Sequence, residues 1–198
     1  MFYTKLTIQA LLIALLCACN STPPVEQTEP TTNEKESAES TKIELAVYTK
    51  ALIALNNGEL EKAQQLFTKM SELQPDIAGS WANLAVISVK QERYDDAQKQ
   101  VATALQKNPK MVQSLNLAGN LAQRRGEILK AKSYYQEALN YQPKYALAHY
   151  NLALLYDIYL QDIANAVTHY QLYLDNIDSK DETTTQWLAG LRATLGNQ

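Results

Sequence analysis

Few side chains in this 198-residue chain are equipped for chemistry, and their spacing argues against most of it. The chain has two histidines, His149 and His169, and two cysteines, Cys17 and Cys19. A zinc site needs three or four converging ligands, and a nucleophile needs a base beside it. Both cysteines precede residue 20, far in sequence from either histidine, and no acid–histidine spacing suggests a general base. Asp157 and Asp162 read as solvated carboxylates flanking a turn, not as a catalytic pair. Gly119 and Gly126 are isolated, unlike a glycine-rich phosphate loop. Arg124, Arg125, Lys130 and Lys132 cluster, but Glu127 and Glu137 lie among them. That cluster reads as a solvated face, with lipid headgroups or an acidic partner as the alternative. A formal net charge of −3 gives no basic surface for phosphates, so no nucleic acid is expected. The expectation is a protein with no catalytic residue, no metal and no cofactor.

One residue is placed for covalent modification. Met1 to Lys5 carry one positive charge, and Leu6 to Leu16 are almost unbroken apolar residues. As a helix that run rises only ~16 Å, about half a bilayer core, which suits the apolar region of a secretory signal better than a span. It ends in Leu16-Cys17-Ala18-Cys19, which resembles the bacterial lipobox. The resemblance implies a signal peptide over residues 1–18 and diacylation of Cys19, followed by acylation of its new amino group. Cys17 fits less well, because bulky Leu16 precedes it. Asn20 stands where an aspartate would resemble the inner-membrane retention signal, so the outer membrane, periplasmic face, is expected. The alternative is an ordinary signal peptide cut elsewhere, leaving a soluble periplasmic protein.

After Cys19 the composition changes. Ser21 to Ser40 holds three prolines, five glutamates, one lysine and no aromatic residue, with Val25 its one sizeable apolar side chain. Such a stretch buries too little surface to offset the entropy of ordering. Residues 19–40 are therefore expected to be a disordered tether with an r.m.s. reach of ~25 Å. The tether carries 1 − 5 = −4; with Lys5 at +1, residues 41–198 are left neutral.

Beyond the tether the chain repeats itself. Pro75, Pro109 and Pro143 are spaced by 34 residues, as are Ala63, Ala97 and Ala131, and Trp81, Leu115 and His149. A fixed period of this length marks stacked helical units. The second unit reads Trp81, Leu84, Ala85, Ala97, Val101, Ala104, Pro109, and the third Leu115, Ala118, Gly119, Ala122, Ala131, Tyr135, Ala138, Pro143. These resemble the tetratricopeptide repeat, a helix-turn-helix unit. The first unit is weaker at its start, with Val47, Lys50, Ala51 and Ala54 before Ala63, Phe67, Met70 and Pro75. In the fourth, His149, Leu152, Ala153 and Tyr156 precede Ala166, Tyr170 and Tyr173. Ala131 and Ala166 are 35 apart, which predicts one extra residue in the turn around Leu160 to Asp162.

The fold class implied is all-α: a right-handed superhelical solenoid of four repeats plus a C-terminal capping helix. The repeats fill residues 41–178, at about 44–77, 78–111, 112–145 and 146–179. Thr41 with Glu44, and Ser179 with Glu182, resemble capping boxes opening the first and last helices. The cap over 179–198 is expected to bury one face made of Trp187, Leu188, Leu191 and Leu195. The rival reading makes that face a docking helix.

By the same resemblance the first helix of each repeat lines a concave groove. That places Tyr48, Leu52, Asn83, Val86, Gln113, Asn116, Asn120, Gln123, Tyr150, Asn151, Leu154 and Asp157 there. A lining of amides and tyrosines can pair with an extended peptide without demanding charge. Family members that grip a chaperone's C-terminal carboxylate do so with Lys, Asn and Arg. Here Tyr48, Leu52, Gln113 and Leu117 stand instead and only Asn83 matches, so that mode is not expected. The convex face, an edge or a homodimer interface remain open as contact surfaces. The expected function is a non-catalytic, membrane-anchored scaffold or adaptor for a periplasmic or outer-membrane assembly, binding a protein or extended peptide. The alternative is a pilotin-type lipoprotein assisting a pilus or secretion channel; a peptidoglycan-processing enzyme is a third reading with no candidate nucleophile behind it.

Overall fold

The computed structural model describes residues 32–196, with side chains from residue 41. The expected signal peptide, Cys17, Cys19 and the expected tether up to residue 31 lie outside the described residues. The chain divides after Glu39, and the repeats occupy the unit Ser40–Gln198.

Nine α-helices are present among the described residues. They are α1 (Thr32–Asn56), α2 (Leu60–Leu73), α3 (Ala78–Lys90), α4 (Tyr94–Lys107), α5 (Val112–Arg124), α6 (Ile128–Tyr141), α7 (Ala146–Leu154), α8 (Ile163–Asp175) and α9 (Glu182–Gly196). A π-helical turn, Leu155–Leu160, continues α7. Helices pack in antiparallel couples, α3 on α4, α5 on α6 and α7 on α8, and each couple packs on the next; α9 closes the array against α8. Each proline stands just past a second helix, where its ring and missing N–H stop propagation.

The period is a packing period. Ala63, Ala97, Ala131 and Ala166 are fully buried, as are Ala51, Ala85 and Ala153 on the first helices. Small side chains there let paired helices approach, and Phe67, Val101, Tyr135 and Tyr170 fill the space between. Tyr156 is buried in the same cluster as Tyr170 and Leu188.

Local expectations are corrected at both ends of the repeat array and in the fourth repeat. Helix α1 begins at Thr32, so Thr41 lies inside it and opens nothing, and the last part of the expected tether is helical. Residues 34–39 are rich in Glu, Lys and Ala, good helix formers, and Pro30 is the last proline before them. At the other end, Asp181 and not Ser179 caps α9: its Oδ1 accepts from the Thr184 amide at 2.9 Å, and its Oδ2 from the Thr184 hydroxyl at 2.8 Å. A carboxylate one residue before the helix outcompetes a serine placed too early to reach the open amides. The buried face of α9 is Thr184 and Leu188 with Leu191 and Leu195 partly covered, while Trp187 is 54% exposed.

The extra residue of the fourth repeat also sits elsewhere than expected. Each intra-repeat turn has one left-handed residue: Gly58 at φ 77°, Glu92 at 59°, Gly126 at 76° and Gln161 at 52°. Each precedes its second-helix alanine by the same number of residues, so the spacing from turn to second helix is unchanged in the fourth repeat. The added residue is absorbed upstream, in the π-helical turn, where a wider ring of i→i+5 bonds accommodates one more residue. Glu92 and Gln161 carry a Cβ in a conformation that favours glycine. Glu92→Gly is expected to raise stability by about 0.5–1 kcal/mol, read as a higher urea midpoint at unchanged slope.

Candidate functional site

Eleven of the twelve groove positions lie on the first helices of their couples and Asp157 on the π-helical turn that continues α7; α5 contacts both α3 and α7. Gln113 and Asn120 are exposed, Asn116 is buried, and the rest are half-buried.

Several of these side chains hold neighbouring repeats together. Asn83 Nδ2 donates to the Tyr48 hydroxyl at 3.2 Å and to the Gly79 carbonyl of its own helix at 2.8 Å. Asn151 Nδ2 donates to Asn116 Oδ1 at 2.9 Å. These are the same two repeat positions, one linking the first repeat to the second, the other the third to the fourth. Between the second and third repeats those positions are Ala82 and Leu117, and the link is apolar. Tyr48 also meets the edge of Phe67 at 5.5 Å, and burial raises its hydroxyl pKa.

A second set of bonds ties the row to the core. The Tyr135 hydroxyl donates to Asn120 Oδ1 at 2.6 Å and lies 3.0 Å from Gln123 Oε1. In the fourth repeat Tyr170 and Asp157 take the positions of Tyr135 and Gln123, and the Tyr170 hydroxyl donates to Asp157 Oδ2 at 3.3 Å. Burial drives both tyrosine hydroxyls well above their ordinary pKa. Asp157 Oδ2 also accepts the Trp187 indole N–H at 2.7 Å, so this carboxylate joins the last repeat to the capping helix. Asp162 has a separate job, capping α8 through the Asn165 amide at 3.1 Å. Tyr150 packs between Tyr170 and Tyr173, with ring centroids 6.1 and 4.9 Å away. The groove positions therefore combine load-sharing amides with side chains, such as Gln113, Val86 and Leu154, that have no hydrogen bond to another repeat among the described residues.

The histidines converge after all, though not as a metal site. His149 Nδ1 and His169 Nδ1 are 3.0 Å apart, and His149 Nε2 is 2.9 Å from the Pro143 carbonyl oxygen. A carbonyl only accepts, so His149 carries its proton on Nε2 and its Nδ1 receives one from His169. Trp81 occupies the equivalent position two repeats earlier, and its indole N–H donates to Pro75 O at 3.0 Å. His149 is thus a substitute indole: a ring with an N–H for the carbonyl of the preceding repeat's proline. Among the described residues no group of three or more His, Cys, Asp or Glu could hold a metal ion. No described helix is long and apolar enough to cross a membrane.

The basic cluster is engaged side chain by side chain. Arg124 stacks on the Tyr94 ring at 3.6 Å, and Arg125 pairs with Asp95 at 3.1 Å. Lys130 pairs with Glu127 at 3.0 Å, and Lys132 stands 4.9 Å over Tyr156. Of these partners only Glu127 belongs to the cluster's own sequence; the other three come from other helical segments.

Two tetratricopeptide-repeat family models match the sequence, over residues 54–118 and 116–181. Together they span well over half of the chain. The chain is a tetratricopeptide-repeat protein. No curated protein sequence matches it. Solved structures show the same fold at low identity. A MamA double mutant superposes with a TM-score of 0.62 at 16% identity, covering 76% of this chain and 84% of that one. A tetratricopeptide repeat protein from Parabacteroides merdae gives 0.60 at 22%, covering 76% and 60%. An O-GlcNAc transferase mutant from Thermobaculum terrenum gives 0.63 at 17%, covering 68% of this chain but 26% of that one. Tetratricopeptide repeats generally bind proteins or peptides and serve as non-catalytic scaffolds, and the all-helical solenoid of this chain is of that fold.

Proposed function

We propose that this repeat protein is a non-catalytic adaptor, anchored to the outer membrane through Cys19 and binding a protein segment along α1, α3, α5 and α7. The observation that carries the reading is the row of half-buried amide, tyrosine and aliphatic side chains on those helices, with Asp157 the one charge among the twelve. Amides left with unused donors and acceptors suit the backbone of an extended segment, and flanking tyrosines add apolar contact. Three acyl chains at Cys19 would make anchoring permanent, and confinement would raise the effective concentration of membrane-held partners.

The test uses crosslinking and affinity capture from intact membranes. Val86→Glu with Gln113→Glu places two carboxylates in the middle of the row without touching an inter-repeat bond. The wild type is expected to retain a partner that this folded variant loses; a partner kept by both would move the contact to another face. Cys19→Ser is expected to abolish acyl labelling and release the protein from membranes, and persistent labelling would transfer the anchor to Cys17. A pilotin would be distinguished by its client: deletion would mislocalise that client's multimers, whereas loss of an adaptor would leave them placed but inactive.

A further inference from the structure

At the C-terminal end of the groove row, α7, its π-helical turn, α8 and α9 enclose an open cleft of about 440 Å³. That is within the ~300–1,000 Å³ of ordinary ligand pockets. One wall is aromatic and aliphatic, from Tyr150, Leu154, Ile158, Tyr170 and Trp187, with Asp157 among them, and α9 adds the uncharged polar side chains Thr183, Thr184 and Gln186. Ile158 and Trp187 are 60% and 54% exposed, more than the interior of a cap requires.

Asp157 is unusual in this setting. The equivalent positions of the earlier repeats are Leu55, Val89 and Gln123, all uncharged. None of the ion pairs among the described residues includes it. Both of its hydrogen bonds, from Trp187 and Tyr170, fall on Oδ2, and Oδ1 takes none among the described residues. Neutral donors orient this carboxylate but leave its charge uncompensated. A carboxylate held at the polar edges of a tyrosine and a tryptophan attracts a cation by Coulomb interaction, and the faces of the same rings attract it by their quadrupoles.

We infer that this cleft receives an arginine side chain from the extended segment bound along the groove row, the guanidinium meeting Asp157 and stacking on the aromatic walls. Arginine fits better than lysine, because its planar, weakly hydrated group stacks on rings and hydrogen-bonds at its edge. The π-helical turn supplies the geometry: the residue it inserts lies in the segment that carries both Asp157 and Ile158. This inference rests on the reading of the groove row as a protein-binding face and adds the chemistry that one end of it selects.

The test follows the Trp187 indole N–H signal of the ¹⁵N-labelled full chain in detergent micelles, identified by its loss in Trp187→Phe. The probes are a blocked alanine pentapeptide with one central arginine and the same peptide with citrulline, its neutral near-isostere. The arginine peptide is expected to shift the signal, at least tenfold more weakly when citrulline replaces arginine, and less at high salt. Asp157→Asn should weaken the arginine peptide by a similar factor; the citrulline comparison uses unaltered protein and stands even if that variant misfolds. Equal binding of both peptides would overturn the arginine inference while leaving an apolar groove-end site intact. No shift with either would overturn it outright, and the groove reading would then be decided by the Val86→Glu with Gln113→Glu capture.

Discussion

Gly119→Ala should destabilise this protein by about 3 kcal/mol, although it adds a single methyl group to a helix where alanine is normally the better residue. A Cβ built on Gly119 falls 2.3 Å from Cε1, 2.7 Å from Cδ1 and 2.8 Å from Cζ of Tyr135. That ring is fully buried, and its hydroxyl is held by Asn120 and Gln123, so it cannot swing aside without breaking polar contacts in the groove row. The equivalent positions carry alanine, Ala85 opposite Val101 and Ala153 opposite Tyr170, which shows that the repeat as such does not demand glycine. The demand comes from how Tyr135 lies across α5. The measurement is a urea titration of the wild type, Gly119→Ala, Tyr135→Leu and the double variant. The double variant should lose much less than the sum of the singles, because leucine vacates the space the methyl needs. Additive losses would show that Gly119 and Tyr135 are not in conflict, and that the ring lies elsewhere.

The second large effect is on pH. Burial, followed by the adjacent His149, pushes the His169 pKa down from its ordinary 6.5 to about 4. His169 also stacks on Tyr156, with centroids 5.6 Å apart and planes 12° from parallel. Between those two pKa values the unfolded chain binds more protons than the folded one, so stability is present above pH ~6.5 and is lost as pH falls toward 4. From pH 7 to 5 the expected loss is about 1–2 kcal/mol, reduced from the full linkage value because His169 is partly exposed. The lowered carboxylates at Asp162 and Asp181 withdraw their contributions only at more acidic pH, so this window isolates the imidazole. His169→Gln retains a donor for His149 Nδ1 but does not titrate. Its thermal midpoint should fall distinctly less between pH 7 and 5 than that of the wild type. An equally steep fall in the variant would assign the pH sensitivity to other groups.

Legibility differed by the range of the interaction. The helix couples were readable because small residues and prolines recur at a fixed spacing, and each repeat meets its neighbours in the same way. Glu92 and Gln161 were not readable as left-handed, because the signal for that conformation is glycine, and the period alone identifies them once Gly58 and Gly126 are aligned. The π-helical turn was visible only as a count of 35; where the extra residue resides depends on which hydrogen-bond ring is cheapest to enlarge. Trp187 looked like core because apolar residues at helical spacing usually are, but Thr184 fills the inward position, and the indole N–H draws Trp187 outward to Asp157.

Nearest-neighbour regularity explains the division. Composition and period by themselves determined an all-helical stack of four repeats with a cap. Those are properties of local pattern, repeated often enough to be unambiguous. Only the tertiary structure decided that Asn83 and Asn116 brace adjacent repeats, that His169 donates a hydrogen bond to His149, and that Asp157 has no ion-pair partner among the described residues. Each of those pairs residues from different helices, and their partners are chosen by the angle at which one helix crosses the next, which no spacing along the chain encodes.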